Sequence, residues 1–193
     1  MKRQSPSQQP RRLLNRARLG RLAILLLVLC PFAARSQDKG DPLNDAEVDQ
    51  VRETGDDPIE RVKLYMKFIE QRTAAINEMA RDPKVQYNPT KLHNLFEEYT
   101  RLVDELQDNL DSYDETHSDV RKALKELVPA SEKWLVVLNK PPADQSYDFS
   151  RKTALEAGQS LVTQTKKLQA DQIKWFAEHK KDKDSDSPPP PPK

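Results

Sequence analysis

Apolar side chains recur in alternating steps of three and four residues over most of this chain, and that spacing constrains the fold more than any other feature. Ile59, Val62, Met66, Ile69, Thr73, Ile76 and Ala80 form one series, widened by Tyr65, Phe68 and Met79. Leu92, Phe96, Tyr99, Val103, Leu106, Leu110 and Tyr113 form a second, with Leu95 and Leu102 beside it. Positions three and four apart share a face of a helix, whereas the period of two in a strand would scatter them over both faces. Each series therefore predicts an amphipathic helix that turns one stripe toward a partner.

Local signals mark the helix starts. Asp57-Pro58-Ile59-Glu60 puts a carboxylate at the cap, proline at the first helical position and glutamate where a capping box wants it. Asn88-Pro89 repeats the cap-and-proline pattern after the break near Asp82-Pro83. The second register continues without a skipped step through His117, Val120, Leu124, Leu127, Ser131, Trp134 and Leu138, which allows one long helix kinked at Pro129. Against that, DSYDETHSD (111–119) is almost wholly polar, and Thr116 with Asp119 offers a capping box for a new helix. Splitting the run there gives pieces of similar length, which suits antiparallel packing.

A last helix is expected after Asn139-Lys140-Pro141-Pro142, capped by Asp148 or Ser150. Its stripe (Ala154, Leu155, Gly158, Leu161, Val162, Thr165, Leu168, Gln169, Gln172, Ile173, Phe176) is more polar and predicts looser packing. Gly158 marks either a close crossing or a tolerated weak point, with equal weight. The expected fold is all-α, an elongated antiparallel helical bundle of four helices, or three if the middle two are one continuous helix. Only four glycines and few aromatics agree with helices over strands.

Residues 1–36 carry eight basic side chains and no acidic one, and Leu22 to Leu29 form the most apolar run. A basic leader, a short apolar segment and a small-residue exit are the parts of an export signal, so 1–36 is read as a signal peptide. Cleavage is expected after Ser36, with Ala33 or Ala34 as alternatives. The run is shorter than the ~20 residues that span hydrocarbon, which disfavours a retained anchor. Leu29 directly before Cys30 disfavours lipidation, because processing at a modified cysteine needs a small residue there. Arg11-Arg12 resembles a twin-arginine signal, although two further charges in a basic leader explain it as well.

Without the leader, 24 basic and 31 acidic residues remain, a net charge of −7. That sign opposes nucleic-acid binding, which draws its affinity from positive charge. Residues 37–56 read as a flexible polar lead-in with a helical turn or two at Ala46 to Arg52, residues 57–180 as the bundle domain, and 181–193 as a disordered charged and polyproline tail. The proline tract Pro188 to Pro192 suits a spacer better than a docking motif.

No chemical site emerges. The sole cysteine, Cys30, lies in the apolar run, and the chain lacks a nucleophile elbow and a phosphate-cradling glycine loop. Asp114 with His117 is a poor metal pair, and the Glu-x-x-His repeats of di-iron bundles are missing. Glu97-Glu98 and Asp56-Asp57 read as solvated faces. No cofactor, metal or catalytic residue is expected. Trp134 lies on the core stripe, whereas Trp175 and Phe176 near a helix end are the candidate interaction residues.

The function expected is that of a noncatalytic, exported bundle acting in protein–protein interaction or as a structural component of the bacterial envelope. Its partner would be an envelope protein or a second copy. The alternative is a periplasmic small-ligand, haem or metal-binding carrier. Localisation is expected to be periplasmic or secreted, or membrane-tethered if the signal is uncleaved or Cys30 is lipidated.

Overall fold

The computed structural model describes residues 42–81 and 87–179. The export signal, the expected cleavage site, Cys30 and the tail 181–193 lie outside them. Among the described residues the chain is all-helical, with five helices and no strand: α1 (Asp45–Glu53), α2 (Pro58–Arg81), α3 (Pro89–Glu115), α4 (Arg121–Leu138) and α5 (Asp148–Glu178).

The two proline starts form as the sequence dictates. Asp57 Oδ1 accepts from the Ile59 and Glu60 amides, and Asn88 Oδ1 accepts from the Lys91 amide. Glu60 turns to Lys63 at 3.2 Å rather than back to the cap. The complete capping box sits instead at α1, where the Asn44 side chain and Glu47 exchange bonds with each other's amides.

The middle register is divided, with the break at 116–120. Thr116 closes α3 by donating its hydroxyl to Ser112 O, so the box expected from Thr116 and Asp119 does not open α4. His117 takes φ of +52°, the left-handed conformation that stops a helix. Pro129 lies inside α4, which runs on through it. At α5 neither expected cap forms: the cap residue is Tyr147, the Asp148 carboxylate accepts from the Asp144 amide, and Ser150 donates its hydroxyl to Tyr147 O.

Each long helix packs against two others, in the closed order α2, α3, α5, α4. Tyr65 bonds Glu105 and Arg72 bonds Glu98, so α2 and α3 run antiparallel. Lys166 reaches Glu132 while Arg121 lies over Phe176, which makes α4 and α5 antiparallel as well. In contrast, His93 pairs with Ser150, Gln107 with Ser160 and His117 with Trp175, so α3 and α5 are parallel. It follows that α2 and α4 are parallel too, and the expected antiparallel relation holds for two of the four contacts. The 116–120 link crosses the diagonal of this arrangement.

The predicted stripes make the core. Val62, Phe68, Ile69, Ile76, Leu92, Phe96, Leu102, Leu106, Leu124 and Leu127 are essentially inaccessible, and Trp134 is buried as its register predicts. The buried face of α5 is narrower: Ala154, Gly158, Leu161, Thr165, Leu168 and Gln172 are buried, while Ile173 is 54 % exposed. Gly158 marks a close crossing, because a Cβ there would lie 2.8 Å from both Tyr99 Oη and Leu135 Cδ2.

Candidate functional site

The diagonal crossing needs its backbone polar groups satisfied in a buried place, and Gln172 of α5 does this. Its Nε2 donates to Ser118 O at 2.8 Å, and its Oε1 accepts from the Val120 amide at 3.2 Å. The amide side chain is 4 % exposed, so both bonds are shielded from water. Next along the turn, Asp119 holds Arg121 through two charge-assisted bonds of 2.7 and 2.8 Å. The Arg121 hydrogen bonds keep the Asp119 carboxyl below its ordinary range.

This pinned turn and the last turn of α5 bring together rings that lie far apart in sequence. The His117 imidazole stacks on Trp175 with centroids 4.5 Å apart and planes inclined by 21°. His179 also stacks on Trp175, at 4.2 Å and 18°. Phe176 meets Trp175 edge-on at 4.7 Å, and the Arg121 guanidinium lies 4.2 Å over the Phe176 ring. Trp175 and Phe176 are half-buried, and both histidines are exposed. A hollow of about 190 Å³ opens here, lined by Asp114, His117, Asp171, Gln172, Trp175 and Phe176.

The two candidate interaction residues therefore stand in one cluster. The sequence offers His117 as an occupant of the stripe and, with Asp114, as a poor metal pair; the structure places its ring on Trp175. Asp114 shares the hollow with it. Among the described residues no group of three or more His, Cys, Asp or Glu side chains is placed to hold a metal ion.

One constellation invisible in the sequence forms at the opposite end of α3. Ser150 Oγ lies 3.1 Å from His93 Nδ1, and His93 Nε2 lies 3.6 Å from Glu97. The order of groups is that of a nucleophilic triad. Its hydroxyl, however, belongs to a serine 3 % exposed and donates to Tyr147 O, so no substrate carbonyl can reach it. It serves as a tie between α3 and α5. Of the acidic pairs, Glu98 is engaged by Arg72 and Asp57 caps α2.

Two other concavities, of about 570 and 270 Å³, are larger but more open to solvent. One lies along α1 and α2, near Glu53, Asp57 and Lys67, and the other between α2 and α4 beside Pro129 and Trp134. Neither gathers aromatic rings and convergent polar groups as the Trp175 end does. No helix among the described residues is long and apolar enough to cross a membrane. In comparisons with protein-family models, curated proteins and solved structures, nothing matches the chain.

Proposed function

We propose that the four long helices act as one exported bundle in the bacterial envelope, with α1 as an accessory strap, and that it serves as a noncatalytic interaction or structural protein. Its contact point is the end carrying Trp175 and Phe176. One observation carries this reading: half-buried aromatic rings, held by a pinned turn, flank an open hollow at the end of a bundle whose interior is filled by close-packed side chains. Aromatic residues anchored in a rigid setting supply much contact area at small entropic cost, which is why they dominate interface energetics. The partner is an envelope protein or a second copy of the chain.

Export is argued from the basic leader and the short apolar segment ahead of Gln37. Intact-mass measurement on fractionated native cells tests it. A soluble species beginning near Gln37 is the expected result. A membrane-bound species retaining Leu22 to Leu29, or one starting at a lipid-modified Cys30, would contradict a free exported domain and make the lead-in a tether.

The interaction reading is tested by native-size fractionation of the same cells. The chain should run in an assembly larger than its own mass, and Trp175→Ala should release it while leaving its helical signal unchanged. A chain that runs as a lone monomer in both forms would sink the reading.

A further inference from the structure

The walls of the hollow beside Trp175 are mostly carbon, and two carboxylates, Asp114 and Asp171, line it. Neither carboxylate has a hydrogen bond or an ion pair to a described residue. The cation nearest the Phe176 ring, Arg121, is already engaged by Asp119. An unpaired acidic pair beside apolar walls is complementary to a ligand with a hydrocarbon stem and a positive head. Two carboxylates with aromatic walls are a poor fit for a hard divalent ion, which demands about six to eight oxygen ligands.

We infer that this hollow receives a lysine side chain of the protein partner, its methylene stem against Trp175 and Phe176 and its ammonium shared by Asp114 and Asp171. The inference rests on the reading of this end as the contact point. Lysine fits better than arginine, because the ring faces that would stack on a planar guanidinium are occupied. Trp175 already carries two imidazoles, and Phe176 carries Arg121. The negative balance of the chain beyond the leader adds a favourable field for a basic partner.

The test follows the indole N–H resonances of the ¹⁵N-labelled full chain during titration. The probes are a blocked Gly-Lys-Gly peptide, its norleucine counterpart and free butylammonium. Trp134, buried in the core, is the internal reference. The lysine peptide should shift the Trp175 signal saturably and leave Trp134 still. The norleucine peptide, and the lysine peptide on Asp114→Asn/Asp171→Asn, should each bind at least ~10-fold more weakly, about 1.4 kcal/mol.

Equal binding of lysine and norleucine, unchanged binding by the double variant, or no saturable shift at all would each overturn the inference. Butylammonium binding ~10-fold more tightly than the peptide would also overturn it, by assigning the hollow to a free amine. The two exposed carboxylates can be neutralised without touching the core, so the variant keeps the test meaningful. If the peptide fails to bind while Trp175→Ala still releases the native assembly, the contact point stands and only its lysine chemistry falls.

Discussion

Tyr99 and Gly158 show how one residue's cost is set by another's absence of a side chain. The Tyr99 hydroxyl is buried without a hydrogen-bond partner, and burial pushes its pKa up. It lies where a Cβ at 158 would meet it. Tyr99→Phe should therefore raise stability by about 0.5–1.5 kcal/mol, since an unsatisfied buried donor is removed. Gly158→Ala gains about 1 kcal/mol of helix propensity but incurs about 1–3 kcal/mol of overpacking, for a net loss. Combined with Tyr99→Phe that loss should shrink, because one of the two close contacts is gone; urea midpoints of the four species give the coupling directly. Additive effects would show that the hydroxyl is not what limits the crossing. Gln172→Ala should cost about 1–3 kcal/mol by leaving Ser118 O and the Val120 amide unpaired, and should disorder the Trp175 environment seen in near-ultraviolet dichroism. The residue scale was only partly legible in the sequence. Trp175 and Phe176 stood out as aromatic side chains at a helix end, but the stacking of His117 on Trp175 and the seat of Arg121 over Phe176 depend on where a turn 55 or more residues away is placed. Gly158 remained ambiguous for the same reason, since its role is decided by what faces it from α3 and α4.

Among the elements, α1 docks through a buried ion-pair cluster, with the Lys67–Gln50 bond and Val51 against the core as further contacts. Arg72 of α2 donates to Glu47 at 2.7 Å, to Glu98 at 3.0 Å and to Pro42 O at 2.9 Å. The Arg72 and Glu47 side chains are only 12 % and 6 % exposed, so their attraction is weakly screened. Burial alone would push Glu47 up, but the Arg72 hydrogen bonds and charge, with the Asn44 amide, outweigh it and hold the carboxyl below its ordinary range. A depressed native pKa means that docking free energy is fully present above the unfolded value of about 4.3 and fades as pH falls through the lower native value. Hydrogen exchange should accordingly show α1 losing protection below about pH 4, before the long helices do. Glu47→Gln should weaken α1 docking by about 1–3 kcal/mol and flatten that pH dependence. Simultaneous loss of protection in α1 and the core would contradict the strap. Helix identities and the proline starts were readable because they depend on neighbours three or four residues away. Asn44-x-x-Glu47 was equally local and readable, but a polar, glycine- and proline-containing setting concealed it. The Thr116 signal misled because a hydroxyl near a turn serves as well at the end of one helix as at the start of the next.

The whole helical unit is arranged by one diagonal link, and the cluster at that link is the proposed point of contact with a partner. All-α composition and the stripes were available from the sequence, because burial imposes its period on every helix. The order of helices around the core was not, since parallel and antiparallel neighbours demand the same apolar stripe. Directed photo-crosslinking decides whether the Trp175 end meets a partner: a benzophenone side chain is placed at Phe176, and in a control at Lys152, an exposed position near the other end of α5. An adduct of defined mass from 176 in native cells, abolished by Trp175→Ala, and none from 152, is the expected result. Adducts of equal yield from both positions, or none from 176, would contradict it.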